Sequence, residues 1–219
     1  MRSPVPEHAL GMMIAFERNF KPAFEAQRRR NWERFESGEI YGKTVGILGL
    51  GKIGTEIARL CKSFGCIVYG MNRTGKCKYA DKIFRPGNLH NLLRKSDYII
   101  ICLPLTSNTY HFLGKREFAM MKKTAVLINI GRGPIVDEKA IVEALKTNRI
   151  RGACLDVFER EPLPKSSPLW DMKNVIMTCH YSAWNPHYED RAIELFCRNI
   201  KAFKKGKKLT NIVDKNKGY

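Results

Sequence analysis

The run Gly49-Leu50-Gly51-Lys52-Ile53-Gly54 has the residue types and spacing to hold a phosphate. It follows the apolar stretch Lys43 to Leu48 and opens an amphipathic stretch, Ile53 to Phe64. A strand, a glycine turn and a helix in that order seat a pyrophosphate on free backbone N–H groups at the helix start, where the helix dipole adds partial positive charge. Gly49 permits the tight turn, Gly51 lets the backbone approach the pyrophosphate, and Gly54 lets helix and strand pack closely. A glycine turn with no ligand is the competing reading, and the flanking strand and helix weigh against it.

The next apolar stretch, Cys66 to Met71, runs into Asn72-Arg73-Thr74, with Lys76 close by. A carboxylate there would accept a hydrogen bond from a ribose 2′-hydroxyl, as in NAD-binding turns. None is present. Arg73 instead offers a guanidinium that can grip a 2′-phosphate with two donors, and Thr74 adds a hydroxyl. The reading is therefore NADP(H) favoured over NAD(H), with Asn72, Arg73 and Thr74 at the adenosine end. If Arg73 is only a solvated surface charge, either cofactor would bind.

Positioning these groups requires an alternation of strands and helices, and the hydropathy pattern supplies one. Helical spacing runs from Val5 to about Arg34 and breaks at Ser37-Gly38. Strands are expected at Lys43 to Leu48, Cys66 to Met71, Tyr98 to Leu103, Ala125 to Ile130, Gly152 to Val157 and Val175 to Thr178. Helices are expected at Ile53 to Phe64, Asn88 to Lys95, Lys115 to Met121, Asp137 to Lys146 with Asp137 as N-cap, and Pro186 to Lys204 with Pro186 in the first turn. This order predicts an α/β fold: a Rossmann-type doubly wound parallel sheet with helices on both faces. No internal repeat or low-complexity tract interrupts it.

Further along, Ile128-Asn129-Ile130-Gly131-Arg132-Gly133-Pro134-Ile135-Val136-Asp137-Glu138 precedes Gly152-Ala153-Cys154-Leu155-Asp156-Val157-Phe158-Glu159-Arg160-Glu161-Pro162-Leu163-Pro164, and then Thr178-Cys179-His180-Tyr181-Ser182-Ala183. With the glycine turn and Leu103-Pro104-Leu105-Thr106, these segments resemble the D-isomer-specific 2-hydroxyacid dehydrogenases, a family that includes phosphoglycerate dehydrogenases and glyoxylate/hydroxypyruvate reductases. The resemblance covers essentially the whole chain. It implies a catalytic set of Arg132, Glu161 and His180. Arg132 would bind the carboxylate and carbonyl oxygens of a 2-keto acid with two donors. His180 would give a proton as hydride arrives and take one in reverse. Glu161 would bond the other imidazole nitrogen, orient the ring and stabilise its charged form.

The resemblance also implies cofactor contacts at Lys52 and Ile53 beside the pyrophosphate, and at Leu103, Pro104 and Thr109 along the adenosine and phosphate path. It places Ile130, Asp156, Arg132 and His180 near the nicotinamide, with Asp156 a candidate acceptor for the carboxamide, and Ser182 and Ala183 just beyond the histidine. The expected activity is hydride transfer between NADP(H) and a small anionic 2-keto or 2-hydroxy acid. His90, His111 and His187 read as structural or surface residues. Trp184 would either wall a substrate pocket or pack in the core. Cys179 stands where the family commonly has proline.

Family members usually carry roughly 100 further N-terminal residues that form most of a substrate-binding domain. All 219 residues here read as the NAD(P)-binding domain, with residues 1–40 an N-terminal helix and dimerisation arm and 205–219 a tail that would return to that absent domain. Alone, the chain is expected to bind cofactor with little activity, as a homodimer.

Composition sets the outer bounds. Lys and Arg total 39 against 21 Asp and Glu, a formal net charge of +18. The basic residues are spread rather than gathered in a nucleic-acid-binding signature, so attraction of anionic cofactor and substrate is the simpler use of the field, and nucleic acid is not the expected partner. No apolar run reaches the roughly 20 residues of a membrane helix. The start of the chain is read as unprocessed, and the seven scattered cysteines as reduced thiols, which together suggest the cytoplasm. Cys102 and Cys154 are read as small hydrophobes inside strands. No metal-ligand cluster is expected. The alternative function is a non-enzymatic nucleotide-sensing or corepressor-like protein; it predicts cofactor binding without turnover.

Overall fold

The structure is a computed structural model and describes residues 4–214. Seven strands, β1 (Thr44–Leu48), β2 (Ile67–Met71), β3 (Lys82–Phe84), β4 (Tyr98–Ile101), β5 (Val126–Asn129), β6 (Gly152–Leu155) and β7 (Val175–Met177), form one sheet. Their order is β3-β2-β1-β4-β5-β6-β7, and every pairing is parallel. The helices are α1 (Val5–Glu17), α2 (Phe20–Arg28), α3 (Lys52–Ser63), α4 (Leu89–Lys95), α5 (Lys115–Met120), α6 (Glu138–Lys146) and α7 (Tyr188–Lys204). Among the described residues no helix is long and apolar enough to cross a membrane.

Every residue of β4, β5 and β6 is buried, as expected of parallel strands covered on both faces. Side chains alternate along each strand, so one strand feeds two cores. Ile99, Ile101 and Leu127 join Leu92, Phe118 and Ile141 of α4, α5 and α6. Ile100, Val126 and Ile128 join Met13 of α1 and Ile57 and Ala58 of α3 on the other side. Fully buried aliphatics such as Ile99, Ile100 and Ile101 each contribute about 1.5–3 kcal/mol relative to exposure.

A buried polar cluster ties α1 to the sheet. Glu17, at the end of α1, bonds the Tyr98 hydroxyl of β4 and the Arg151 guanidinium just before β6. Burial alone would raise the Glu17 pKa, but the Arg151 and Tyr98 bonds outweigh it and hold the carboxyl below its ordinary value.

Several boundaries differ from the sequence expectation. The single helix to about Arg34 is two helices, because Asn19 adopts the left-handed conformation at φ 56° and turns the chain between them. Asparagine tolerates this region better than other side chains, so the break carries no glycine or proline signal. The short edge strand β3 was not anticipated. Pro186 lies outside α7, whose N-cap is His187, since Asn185 first forms a turn with Oδ1 accepting from the His187 N–H. Asp137 does cap α6, accepting from the N–H groups of Lys139 and Ala140. Cys154 lies buried within β6, whereas Cys102 falls just past β4; all seven cysteines are free. Residues 215–219 of the expected tail lie outside the described residues.

Candidate active site at the strand ends

The chain builds β1, β2 and β3 outward to one side, then returns to lay β4 against the opposite edge of β1. The connections leaving β1 and β4 therefore diverge, and a crevice opens beyond their C-terminal ends. The glycine turn lies there. Gly49 has φ +100°, and its N–H donates to the Met71 carbonyl over 3.0 Å. A Cβ at Gly49 would lie 2.8 Å from the Cys102 carbonyl oxygen, so a side chain would push apart the two diverging connections. A Cβ at Gly54 would overlap the Gly49 carbonyl and crowd Ile47 of β1. Gly51 differs: it caps α3 in extended conformation, and nothing lies within 4 Å of where its Cβ would be.

The first helical bond of α3 runs from the Thr55 N–H to the Gly51 carbonyl. The N–H groups of Lys52, Ile53 and Gly54 thus lack helical acceptors. A bare backbone cradle at a helix start fits the pyrophosphate of a dinucleotide. Lys52 contacts Asn211 of the C-terminal segment through its ammonium group.

Beyond β2, Asn72 organises a loop: its Oδ1 accepts from the Gly75 N–H and its Nδ2 donates to the Lys76 carbonyl. Arg73 and Thr74 are exposed on that loop. At the opposite end of β2, Asp81 accepts from the Val68 N–H and from Lys62. Burial alone would raise the Asp81 carboxyl, but these partners hold it below the usual carboxylate range, so it stays an engaged anion. Past β4, Leu103 packs on a core, and Thr109 closes the loop by donating to the Pro104 carbonyl and accepting from the Thr106 N–H.

The expected catalytic residues converge past β5, β6 and β7. Asn129, buried at the end of β5, folds the next turn: Oδ1 accepts from the Gly131 N–H and Nδ2 donates to the Arg132 carbonyl. Arg132 is exposed, with one guanidinium nitrogen donating to the Gly131 carbonyl. Gly133, beside it, lies so close to the Phe158 backbone that a Cβ would overlap it. The Phe158 N–H in turn donates to Glu161 Oε1 over 2.9 Å. The other oxygen, Oε2, lies 2.6 Å from His180 Nδ1. Glu161 and His180 are therefore paired, and the Arg132 turn packs against the segment that holds Glu161.

Asp156 departs from expectation. Its carboxylate is turned inward and fully buried, with Oδ1 accepting from the Thr178 hydroxyl and Tyr181 N–H and Oδ2 from the Ser182 N–H. It anchors the loop bearing His180 and presents no exposed surface to a carboxamide. Ile130 and Ser182 are also buried, and Ala183 packs on a core. Trp184 is 83% exposed, so it does not pack in the core. His90 and His187 are exposed, and His111 pairs with Glu159 at 2.6 Å. Sequence reasoning missed the positioning roles of Asn129 and Thr178. An asparagine ending an apolar strand is a signal for the first; nothing local marks the second.

A glycine turn at the switch point of a doubly wound parallel sheet is the architecture of the dinucleotide-binding domains. Residues 10–182 match the family described as D-isomer specific 2-hydroxyacid dehydrogenase, NAD binding domain. A glyoxylate reductase of Thermococcus gammatolerans is 38% identical over 95% of this chain and 65% of its own length. A D-3-phosphoglycerate dehydrogenase of Methanocaldococcus jannaschii is 37% identical over 96% of this chain and 41% of its own. Among solved structures, an NADPH-dependent glyoxylate/hydroxypyruvate reductase from Sinorhizobium meliloti, in complex with NADP and sulfate, superposes with a TM-score of 0.89 at 30% identity, covering 99% of this chain and 69% of that one. The chain belongs to the D-isomer-specific 2-hydroxyacid dehydrogenase family, with residues 10–182 corresponding to its NAD-binding domain. It spans less than two thirds of the length of these curated relatives.

Proposed function

We propose that the chain is the cofactor domain of an NADP(H)-dependent reductase of small 2-keto acids such as glyoxylate or hydroxypyruvate. The observation that carries the reading is the 2.6 Å pair of His180 Nδ1 and Glu161 Oε2. With Nδ1 held by a carboxylate, Nε2 is the nitrogen left for a substrate oxygen. The bound cofactor would supply the hydride. Arg132, with one nitrogen on the Gly131 carbonyl, keeps donors for the substrate carboxylate and carbonyl oxygen. His180 would deliver the proton to that oxygen, with Glu161 stabilising the charged imidazole. Gly49, Gly51, Gly54 and the α3 N–H groups, including those of Lys52 and Ile53, would hold the pyrophosphate. Leu103, Pro104, Thr109, Ile130, Ser182 and Ala183 would border the path of the cofactor.

Preference for NADP(H) is supported by Arg73 and Thr74, exposed on the loop beyond β2. A relative solved with NADP accords with it. The test is a fluorescence titration with NADPH and NADH: NADPH is expected to bind at least about tenfold more tightly, a difference of about 1.4 kcal/mol. Equal or tighter binding of NADH would overturn the preference, and binding of neither would overturn the reading as a whole. Because the His180 side chain is 47% exposed and hydride transfer needs water excluded, these 219 residues alone should turn over slowly. The exposed Phe24 and Trp32 of the N-terminal arm favour a homodimer, checked by light scattering. Seven free thiols accord with a reducing compartment such as the cytoplasm.

A further inference from the structure

Beneath the His180 loop runs a polar chain that begins on α1. His8 Nε2 lies 3.1 Å from the Thr178 hydroxyl oxygen. That hydroxyl has one proton, and it donates it to Asp156 Oδ1 over 2.6 Å. Toward His8 it can then only accept, so Nε2 of His8 must carry a hydrogen. The rings of His8 and Tyr181 also meet edge to face, with centroids 5.7 Å apart at 86°.

Asp156 passes this restraint to the loop at three points. Its main-chain carbonyl accepts from the His180 N–H at 2.8 Å. Its carboxylate accepts from the N–H groups of Tyr181 and Ser182, each at 3.1 Å. The residue so held, His180, has φ +52°, a left-handed conformation that side chains other than glycine seldom adopt and that persists only where neighbours enforce it. Its Nδ1 is thereby brought onto Glu161.

We propose that His8 is a positioning residue for His180: its Nε2–H, relayed by the Thr178 hydroxyl, fixes the Asp156 carboxylate that holds the His180–Ser182 backbone and so aims the imidazole at Glu161. The inference rests on the reading of His180 as the proton donor, and it extends the site to a helix 170 residues away in sequence. Donor and shape are separable here. Phenylalanine keeps the bulk of His8 without its hydrogen, and glutamine keeps an N–H at similar reach.

The test is NMR on the 219-residue chain without cofactor, so its outcome is independent of the titrations above. In His8→Phe, amide exchange at Tyr181 and Ser182 should quicken about tenfold, the scale of one hydrogen bond. The long-range proton–nitrogen correlation of the His180 ring should pass from an Nδ1–H pattern to mixed tautomers. His8→Gln should restore both, and Thr178→Val should reproduce the loss without altering α1. A wild-type His180 ring pattern in both His8→Phe and Thr178→Val would overturn the proposal. So would a His8→Gln protein that matches His8→Phe in both readouts, since that would make the role one of packing.

Discussion

At Glu161 one carboxylate oxygen holds the Phe158 N–H while the other holds the His180 imidazole. If His180 is the proton donor proposed above, replacing Glu161 by glutamine removes the carboxylate that holds its Nδ1 and should lower the rate of 2-keto acid reduction by roughly 10²–10⁴-fold while NADPH affinity is unchanged. Steady-state rates and a binding titration check the two halves. Arg73 makes a second prediction at this scale. Arg73→Glu places a carboxylate where a 2′-phosphate would sit, so the ratio of NADPH to NADH affinity should fall by at least about tenfold, as the two titrations would show. The pairing of Glu161 with His180 lay within reach of the sequence because acid–proline and strand-end histidine spacings are local. The role of Asp156 did not: its place near the site was visible, but the inward turn of its carboxylate depends on Thr178, Tyr181 and Ser182, which approach from another strand end.

The α3 turn separates two glycine roles that the motif presents alike. At Gly54 an added methyl meets the Gly49 carbonyl, whereas at Gly51 it meets nothing of the protein. Gly54→Ala should therefore lose about 1–3 kcal/mol of stability, measured by urea unfolding, along with cofactor binding. Gly51→Ala should melt like the parent yet bind NADPH much more weakly. The strands were readable for a related reason: β4, β5 and β6 are buried on both faces and show as short apolar runs. Their C-terminal limits were overrun by one or two residues because Cys102, Ile130 and Asp156 continue apolar or buried sequence into the connections. β3 escaped notice because three residues, Lys82–Phe84, at a sheet edge give too little alternation to detect.

Across the whole molecule, stability should decline on the acid side in two windows. Burial lowers the pKa of His8 below 6.5, more than the charge of Asp156 restores. A base with a depressed folded-state value contributes fully above its unfolded value, so stability falls as pH drops from 6.5 toward the lowered one. Glu17, with its carboxyl held below 4.5, contributes above that value and loses its contribution as pH falls through the folded-state pKa. Urea unfolding at a series of pH values should show both limbs, with His8→Phe flattening the upper and Glu17→Gln the lower.

The two cores close without α7, none of whose residues is buried. Ile193, Phe196 and Phe203 on that helix are each at least 60% exposed. Limited trypsin digestion, which has Arg191, Arg198 and Lys201 within reach, should shorten the chain there and leave a fragment that melts cooperatively near the parent temperature. The last helix is thus energetically severable: its link to the glycine turn is the Lys52–Asn211 contact of the segment after it, and substitutions along its exposed face should leave the folded sheet intact.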